Sequence, residues 1–116
     1  MYMEIKKLHK DAVLPVRAKP GDSGMDLTVI ADVVLLPGIP TLIGHGFALA
    51  LPPGHGGWIT SRSSTLRKHG VLIEPGTIDN EFRGELMTQA TNHGKEPVCI
   101  HKGDKISQLV VMPLAY

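Results

Sequence analysis

Glycine and proline interrupt this chain so often that only short elements can form between them. Thirteen Gly and nine Pro are spread over 116 residues, and a turn-forming residue recurs about every eight to twelve residues. Open strand edges invite aggregation, so short strands have to pair or close on one another. The sequence therefore predicts an all-β domain, a jelly-roll or distorted β-barrel of about ten to eleven short strands with one short helix.

The predicted strands follow the apolar runs between these breakers. They cover residues 2–8, 26–30, 33–36, 41–43, 47–51, 56–60, 70–73, 85–92, 98–101 and 105–111. The predicted helix covers 63–69, where a serine is able to cap its first turn. There is no internal repeat, linker or low-complexity segment, so residues 1–116 are predicted to form a single domain.

The charge balance and the histidine and cysteine content exclude several classes of function. Twelve basic and eleven acidic residues give a formal charge of +1, which provides no field for nucleic acid or an acidic membrane. No apolar run approaches the roughly 20 residues that cross a bilayer, and the first residues lack the apolar core of a signal peptide. The six His are dispersed, so a zinc site is not expected.

The single cysteine, Cys99, cannot form a disulfide within the chain. A reducing, cytoplasmic setting is therefore expected. Cys99 lies between Val98 and Ile100 in an apolar run, which predicts a buried strand and a packing role for the thiol.

The segment 76–85 concentrates charge and conformational freedom between two apolar runs. It holds three acids, one Arg, one aromatic residue and two Gly in ten residues. Gly76 and Gly84 tolerate backbone angles that other residues resist, and Asp79-Asn80 is a turn-forming pair. These features predict a hairpin whose tip carries a carboxylate and an aromatic face. An ordinary solvated hairpin loop fits the composition equally well.

Three other short clusters stand out from the strands. Residues 23–27 place the carboxylate of Asp26 where a loop becomes a strand. Residues 61–64 combine Arg62 with serine hydroxyls at the start of the predicted helix, where free backbone N–H groups favour an anion. This cluster predicts a phosphate cradle, and a capped helix with a surface arginine is the alternative. Residues 103–108 form a turn followed by alternating polar and apolar residues that end at Gln108.

Taken in order, the four clusters resemble the motifs of the trimeric dUTPase family. The family patterns are roughly AGxDL, RSS or RSG, GxIDxxYRGE and GxRIAQ, and this chain has SGMDL, RSS, GTIDNEFRGE and GDKISQ. The resemblance runs from about residue 14 to residue 112. It implies a jelly-roll subunit that forms a homotrimer with active sites shared between subunits. It also implies Mg²⁺-dependent hydrolysis of dUTP to dUMP and pyrophosphate.

The resemblance implies roles for individual residues as well. Asp79 matches the catalytic carboxylate that orients and deprotonates the attacking water. Asp26 matches an acid that contacts Mg²⁺ through water, and few protein ligands suffice because phosphates hold most of a hydrated Mg²⁺. The implied substrate-binding residues are Arg62, Ser63, Ser64 and Gln108 at the phosphates, together with Ile73, Gly76, Thr77, Ile78, Asp79, Phe82 and Met87 at or near the nucleoside.

Three departures from the family patterns bear on substrate choice and rate. Phe82 stands for the usual Tyr and keeps the apolar face on which the deoxyribose packs. Ile73 stands six residues before Asp79, where many members carry an Asn that bonds uracil, and an apolar side chain cannot make that bond. Residues 1–116 do not include the Gly-rich RGxxGFGSTG-like tail that closes over the triphosphate in this family. Because closure of that tail assists the reaction, a lower rate of hydrolysis is expected.

Three alternative functions stay open. Ile73 leaves room for a hydrolase of another deoxynucleoside triphosphate. A non-catalytic trimeric nucleotide-binding or regulatory module would keep the fold, although it would not need Asp26, Arg62 and Asp79 together. A dCTP deaminase, which shares overlapping motifs, ranks lower because Gln89 stands where that family places a catalytic Glu, and an amide cannot serve as a general base.

Overall fold

A computed structural model of the chain describes residues 3–62, 64 and 69–115. Within these residues the chain forms eleven strands, which confirms the all-β prediction. The predicted helix over 63–69 falls largely outside the described residues. The strands are β1 (Glu4–Lys7), β2 (Met25–Thr28), β3 (Val33–Leu35), β4 (Thr41–Gly44), β5 (Phe47–Ala50), β6 (His55–Ser61), β7 (Val71–Glu74), β8 (Gly76–Ile78), β9 (Met87–Asn92), β10 (Val98–Ile100) and β11 (Lys105–Pro113).

The strands pair into four small antiparallel sheets. The largest has the order β2-β11-β6-β8, and the second has the order β4-β9-β7. The pairs β1-β5 and β10-β3 complete the set. Because four sheets pack together where a barrel would have one continuous closed sheet, the fold is a distorted jelly roll and not a closed barrel.

Alternating side chains of these sheets fill two adjoining apolar clusters. Strand residues point alternately inward and outward, and the inward set of β11, β6 and β2 meets Phe47 and Leu86. The first cluster contains Ala12, Met25, Leu27, Phe47, Leu49, Leu51, Ile59, Leu86 and Leu109. The second contains Val29, Leu35, Ile43, Val71, Ile73, Ala90, Ile100 and Ile106.

A chain of buried polar groups connects the two larger sheets. His45 Nδ1 lies 2.8 Å from the Thr28 carbonyl oxygen, and its Nε2 lies 2.7 Å from Thr88 Oγ1. Thr88 Oγ1 in turn lies 2.8 Å from Ser107 Oγ. His45, Thr88 and Ser107 are all 0% exposed. Burial lowers the pKa of the His45 imidazole, although the Thr28 carbonyl and the negative charge of Glu85 act in the opposite direction.

The predicted hairpin around segment 76–85 is only partly correct. Strands β7 and β9, on either side of it, do pair, with Ile73 opposite Ala90. The segment between them does not form the tip of that hairpin, because β8 leaves the pair and adds to β6 in the other large sheet. The loop that carries Asp79 is therefore held between two sheets.

The expected burial of Cys99 is wrong for this chain. The thiol is exposed, because among the described strands β10 pairs with β3 alone and Cys99 stands opposite the exposed Val34. Its neighbour Ile100 points inward and is 0% exposed. Among the described residues, no helix is long and apolar enough to cross a membrane.

Candidate functional site

The loop after β8 forms one wall of a groove of about 770 Å³, here called the Asp79 groove. Its other walls come from the first part of β6 and the last residues of β11. The groove is lined by Gly56, Gly57, Trp58, Thr77, Ile78, Asp79, Asn80, Glu81, Phe82, Met112 and Leu114. Four of the predicted site residues, Thr77, Ile78, Asp79 and Phe82, thus share one concave surface.

Hydrogen bonds within and behind the loop fix the position of Asp79. The Phe82 N–H donates to the Asp79 carbonyl at 3.0 Å, which closes a tight turn. Asn80 Nδ2 donates to the carbonyls of Pro52 and His55, both at 2.9 Å, and ties the turn to the start of β6 and the loop before it. Arg83 Nη1 donates to the Asn80 carbonyl at 2.7 Å. From the sequence, Asn80 was identified as a turn-forming residue, and this anchoring role was not predicted.

The aromatic surface of the groove depends on glycine. A Cβ placed on Gly84 would lie 2.8 Å from Cζ of the Phe82 ring, which is too close for two carbon atoms. Gly84 therefore lets the ring lie against the backbone. Phe82 is 40% exposed and Trp58, on the facing strand, is 41% exposed. The groove thus offers two aromatic surfaces near the Asp79 carboxylate.

A second concavity of about 380 Å³, the Asp26 cleft, gathers three more of the predicted residues. It is lined by Ala18, Asp22, Ser23, Gly24, Asp26, Arg62 and Gln108. Arg62 Nε lies 3.0 Å from Asp26 Oδ1, and Lys105 Nζ lies 4.0 Å from Asp26 Oδ2. Arg62 Nη1 also donates to the Lys105 carbonyl at 2.9 Å. Two cations therefore surround one carboxylate whose side chain is only 11% exposed.

Close packing holds the Gln108 amide in this cleft. Gln108 Nε2 donates to the Ser61 carbonyl at 3.1 Å. A Cβ on Gly24 would collide with the Gln108 side-chain oxygen. Gln108 stands opposite Asp26 on β2 and Thr60 on β6, so its side chain projects from the same face of the sheet as the Asp26 carboxylate.

The two concavities open on one face of the four-stranded sheet but are far apart. Asp79 follows Ile78, whose partner on β6 is Gly57, whereas Arg62 follows Ser61, the last residue of β6. Five residues of extended strand from Gly57 to Arg62 correspond to about 17 Å. The exposed side chain of Trp58, which stands opposite Val110 of β11, lies on the stretch between them.

The two concavities also differ in charge. The described residues that line the Asp79 groove include two acids, Asp79 and Glu81, and no Lys or Arg. The Asp26 cleft also has two acids in its lining, Asp22 and Asp26, but Arg62 in the lining and Lys105 beside it balance their charge. Repulsion between carboxylates and phosphates opposes placing a triphosphate in the groove alone, so the anionic part of a ligand fits the Asp26 cleft better.

The residues around Asp26 fit a hydrated divalent cation better than a fully protein-held one. Within the described part of the chain, no three His, Cys, Asp or Glu side chains come together to hold a metal ion. Both oxygens of Asp26 already face cations. An Mg²⁺ ion here would take most of its ligands from water and ligand phosphates, the mode that Mg²⁺ favours.

The other predicted site residues that the structure describes lie outside both concavities. Ser64 is exposed in a turn, and Ser63 is outside the described residues. Gly76 is paired with Ile59 in the β6–β8 ladder, and Met87 is exposed at the start of β9. Ile73 is 2% exposed in the second apolar cluster, so its side chain offers no surface to a ligand in this chain.

The fold defines a structural class, and comparison with known proteins identifies the family within it. The architecture defines an all-β domain of the distorted jelly-roll type with two separate concavities on one sheet face. The family model described as dUTPase matches residues 10–116. The chain belongs to the dUTPase family.

Individual relatives agree with this assignment. The chain is 42% identical over 116 residues to the deoxyuridine 5'-triphosphate nucleotidohydrolase of Syntrophotalea carbinolica, covering 97% of this chain and 79% of the relative. It is 44% identical over 103 residues to the protein of the same name from an Anaeromyxobacter species, covering 87% and 70%.

A solved structure matches almost the whole fold. The dUTPase of Staphylococcus bacteriophage 80alpha superposes with a TM-score of 0.93 at 27% sequence identity, covering 99% of this chain and 92% of the phage chain. A dUTPase variant from phage phi11 of S. aureus, described with a structural Mg(II) ion, matches with a TM-score of 0.92 at 27% identity, covering 100% and 93%. The jelly-roll prediction is thereby confirmed.

Proposed function

We propose that this protein hydrolyses dUTP to dUMP and pyrophosphate, using Mg²⁺, in a homotrimer whose active sites combine the Asp79 groove of one subunit with the Asp26 cleft of another. Support comes from membership of the dUTPase family and from relatives of about two-fifths identity that carry the nucleotidohydrolase name. The observation that carries the shared-site part is the separation of the two concavities. A carboxylate that activates water has to lie within about 3 Å of it, whereas Asp79 and Arg62 stand at opposite ends of β6.

Asp79 would act as the general base of this reaction. Its carboxylate accepts a proton from a water molecule, and the water oxygen forms a bond to the α-phosphorus. The bond from the α-phosphorus to the bridging oxygen breaks, and pyrophosphate leaves with that oxygen and its electron pair. The turn closed by the Phe82 N–H and anchored by Asn80 holds the backbone of Asp79 in place, which limits the reorganisation that the reaction needs.

The Asp26 cleft would bind the phosphates and the metal ion. Arg62 and the Gln108 amide supply donors for phosphate oxygens, and charge-assisted bonds from a guanidinium are the stronger of the two kinds. Asp26 would hold Mg²⁺ through water. When bound, Mg²⁺ neutralises phosphate charge and stabilises the leaving pyrophosphate.

The nucleoside would lie in the Asp79 groove, with Phe82 beneath the deoxyribose. Because Ile73 is buried, base selection would depend on main-chain groups of β8 near Thr77 and Ile78. This strand is at the edge of its sheet, so one side of its backbone has no neighbouring strand in the part of the sheet that the structure describes. Hydrolysis of another deoxynucleoside triphosphate is the second candidate, favoured by the lack of a polar side chain at Ile73.

A panel of substrates separates the candidates. Purified protein with Mg²⁺ is incubated with each deoxynucleoside triphosphate, and pyrophosphate and ammonia release are measured. Pyrophosphate from dUTP alone is the expected result, and faster release from another triphosphate would favour the second candidate. Ammonia from dCTP would contradict hydrolysis, and tight dUTP binding without turnover would indicate a regulatory module.

The variant Asp79→Asn tests the base directly. It should abolish hydrolysis with little loss of dUTP binding, because the amide keeps the shape of the carboxylate and loses its basicity. Glu96→Gln, an exposed acid in the β9–β10 turn, is the matched control and should keep full activity. Unchanged turnover in Asp79→Asn would remove Asp79 from the catalytic role.

A cytoplasmic location also belongs to the proposal, since the chain has a single cysteine.

A further inference from the structure

The buried hydrogen-bonded chain around His45 has a defined direction. The Thr28 carbonyl can only accept, so His45 Nδ1 carries the proton and donates to it at 2.8 Å. Nε2 of the neutral ring is then an acceptor, and the Thr88 hydroxyl donates to it at 2.7 Å. The Ser107 hydroxyl donates to Thr88 Oγ1 at 2.8 Å. Every polar side-chain atom of His45, Thr88 and Ser107 therefore takes part in a hydrogen bond. No buried side-chain nitrogen or oxygen among the described residues lacks a partner.

The hydrogen-bonded chain of His45, Thr88 and Ser107 ends on β11, at a point where that strand is irregular. Lys105 stands opposite Thr28 and Ser107 opposite Leu27, so three residues of β11 face two of β2, which is a β-bulge. As a result, two consecutive residues, Ile106 and Ser107, both point inward and are 2% and 0% exposed. After the bulge the alternation resumes, and Gln108 projects outward opposite Asp26. Bulges re-aim the side chains that follow them.

The bulged segment supplies two contacts of the Asp26 cleft. The Lys105 carbonyl, just before the bulge, accepts the bond from Arg62 Nη1 at 2.9 Å. Gln108, just after it, donates to the Ser61 carbonyl and lines the cleft. The other end of the polar chain is the carbonyl of Thr28, two residues from Asp26 on β2. Both strands that present the cleft are therefore fixed from behind by one set of hydrogen bonds.

We propose that His45, Thr88 and Ser107 are positioning residues of the Asp26 cleft, since their hydrogen-bonded chain holds the β11 bulge in the register that aims Arg62 and Gln108 at the ligand. None of the three contacts the ligand. The expected effects on KM and on the Mg²⁺ dependence rest on the proposed function. The expected positions of Arg62 and Gln108 concern the free protein and are measurable without substrate.

The variant Thr88→Val removes the central hydroxyl with almost no change in volume. It leaves Nε2 of His45 without a donor and the Ser107 hydroxyl without its acceptor. Because the cleft would hold phosphates in the ground state and the transition state alike, KM for dUTP and the Mg²⁺ concentration for half-maximal rate should each rise about tenfold, while kcat falls less than about threefold. Thr88→Ser keeps the hydroxyl and should restore both values to within about twofold of the wild type.

The matched control is Ile43→Val. Ile43 stands directly opposite Thr88 in the β4–β9 pair and is 2% exposed, so this variant loosens the same part of the core without breaking the polar chain. Its KM and Mg²⁺ dependence should equal those of the wild type. If Thr88→Val does not fold, Ser107→Ala, which removes only the last hydroxyl, takes its place with a smaller shift in the same direction.

Nitrogen-15 NMR of the free protein provides the readout that is independent of activity. In the wild type, Arg62 Nε–H and the Gln108 side-chain amide should show shifted, slowly exchanging signals; in Thr88→Val they should move to solvent-exposed values. Signals that stay unchanged in Thr88→Val, or that move equally in Ile43→Val, would overturn the positioning role. A wild type that shows these signals but does not hydrolyse dUTP would refute the proposed function while leaving the positioning role standing.

Discussion

Removing the Asn80 side chain separates the anchoring of the catalytic loop from the chemistry of Asp79. Asn80 Nδ2 donates two bonds of 2.9 Å, to the Pro52 and His55 carbonyls. A net contribution of about 1 kcal/mol for each bond predicts that Asn80→Ala lowers the free energy of unfolding by about 2 kcal/mol. The two carbonyls lose their partner in a partly buried position, so little of this loss is recovered.

The same variant should slow the reaction more than it weakens binding. The turn that carries Asp79 then keeps only its internal bonds, and misplacement of a reacting group by about 1 Å can cost up to about a hundredfold in rate. We therefore expect kcat to fall at least about tenfold, with KM changed less than about threefold.

Urea denaturation and steady-state kinetics of the same samples test both parts. A loss of about 2 kcal/mol should lower the urea midpoint by about 1 M at fixed protein concentration. Lys95→Ala, an exposed position in the β9–β10 turn, is the control and should stay within about 0.5 kcal/mol of the wild type. Unchanged kcat with lowered stability would refute the positioning of Asp79 by this anchor, and unchanged stability would refute the energetic value of the two bonds.

Two further predictions concern the Asp26 cleft and the buried histidine. Gly24→Ala should displace the Gln108 side chain, because its Cβ would collide with the amide oxygen, and KM for dUTP should rise about tenfold with stability nearly unchanged; an unaltered KM would contradict the contact. Burial lowers the pKa of His45 in the folded state, so the unfolded chain binds a proton at a pH at which the folded chain does not. The free energy of unfolding should therefore fall as pH drops below about 6.5. Urea midpoints between about pH 5 and 7.5 should show this slope in the wild type and a flatter one in His45→Gln, and equal slopes would assign it to other groups.

Local sequence patterns were sufficient to predict ten of the eleven described strands and most of the residues that share a concavity. Gly and Pro placed the element boundaries to within about two residues, the usual precision at element ends. The clusters around Asp26, Arg62 and Gln108 do meet in one cleft, and Thr77 and Asp79 meet in another. These residues lie at strand ends or in alternating patterns, where neighbours along the chain largely decide which way a side chain points.

Strand partners could not be predicted, because pairing depends on residues far apart in sequence. Nothing within 76–85 indicates that Gly76, Thr77 and Ile78 leave β7 and pair with β6. For the same reason Asn80 read as a turn former, although its side chain bonds to residues 25 and 28 positions away.

Cys99 and Ile73 show the same limit on single side chains. In a short apolar run, composition does not determine which residue faces the core; Cys99 points outward because its neighbour Ile100 takes the inward position. The resemblance to the dUTPase family placed Ile73 near the base, but its side chain lies in the second apolar cluster.

Mixing two inactive variants tests the shared site most directly. Asp79→Asn damages only the groove, and Arg62→Gln damages only the cleft, so each variant alone should be nearly inactive. When equal amounts are unfolded and refolded together, a ring in which each site takes its groove from one subunit and its cleft from the next has both halves intact in about a quarter of its sites. The account predicts recovery of about a quarter of wild-type activity after co-refolding and none after mixing folded samples that do not exchange subunits. Co-refolded mixtures that assemble and yet stay as inactive as the separate variants would contradict it.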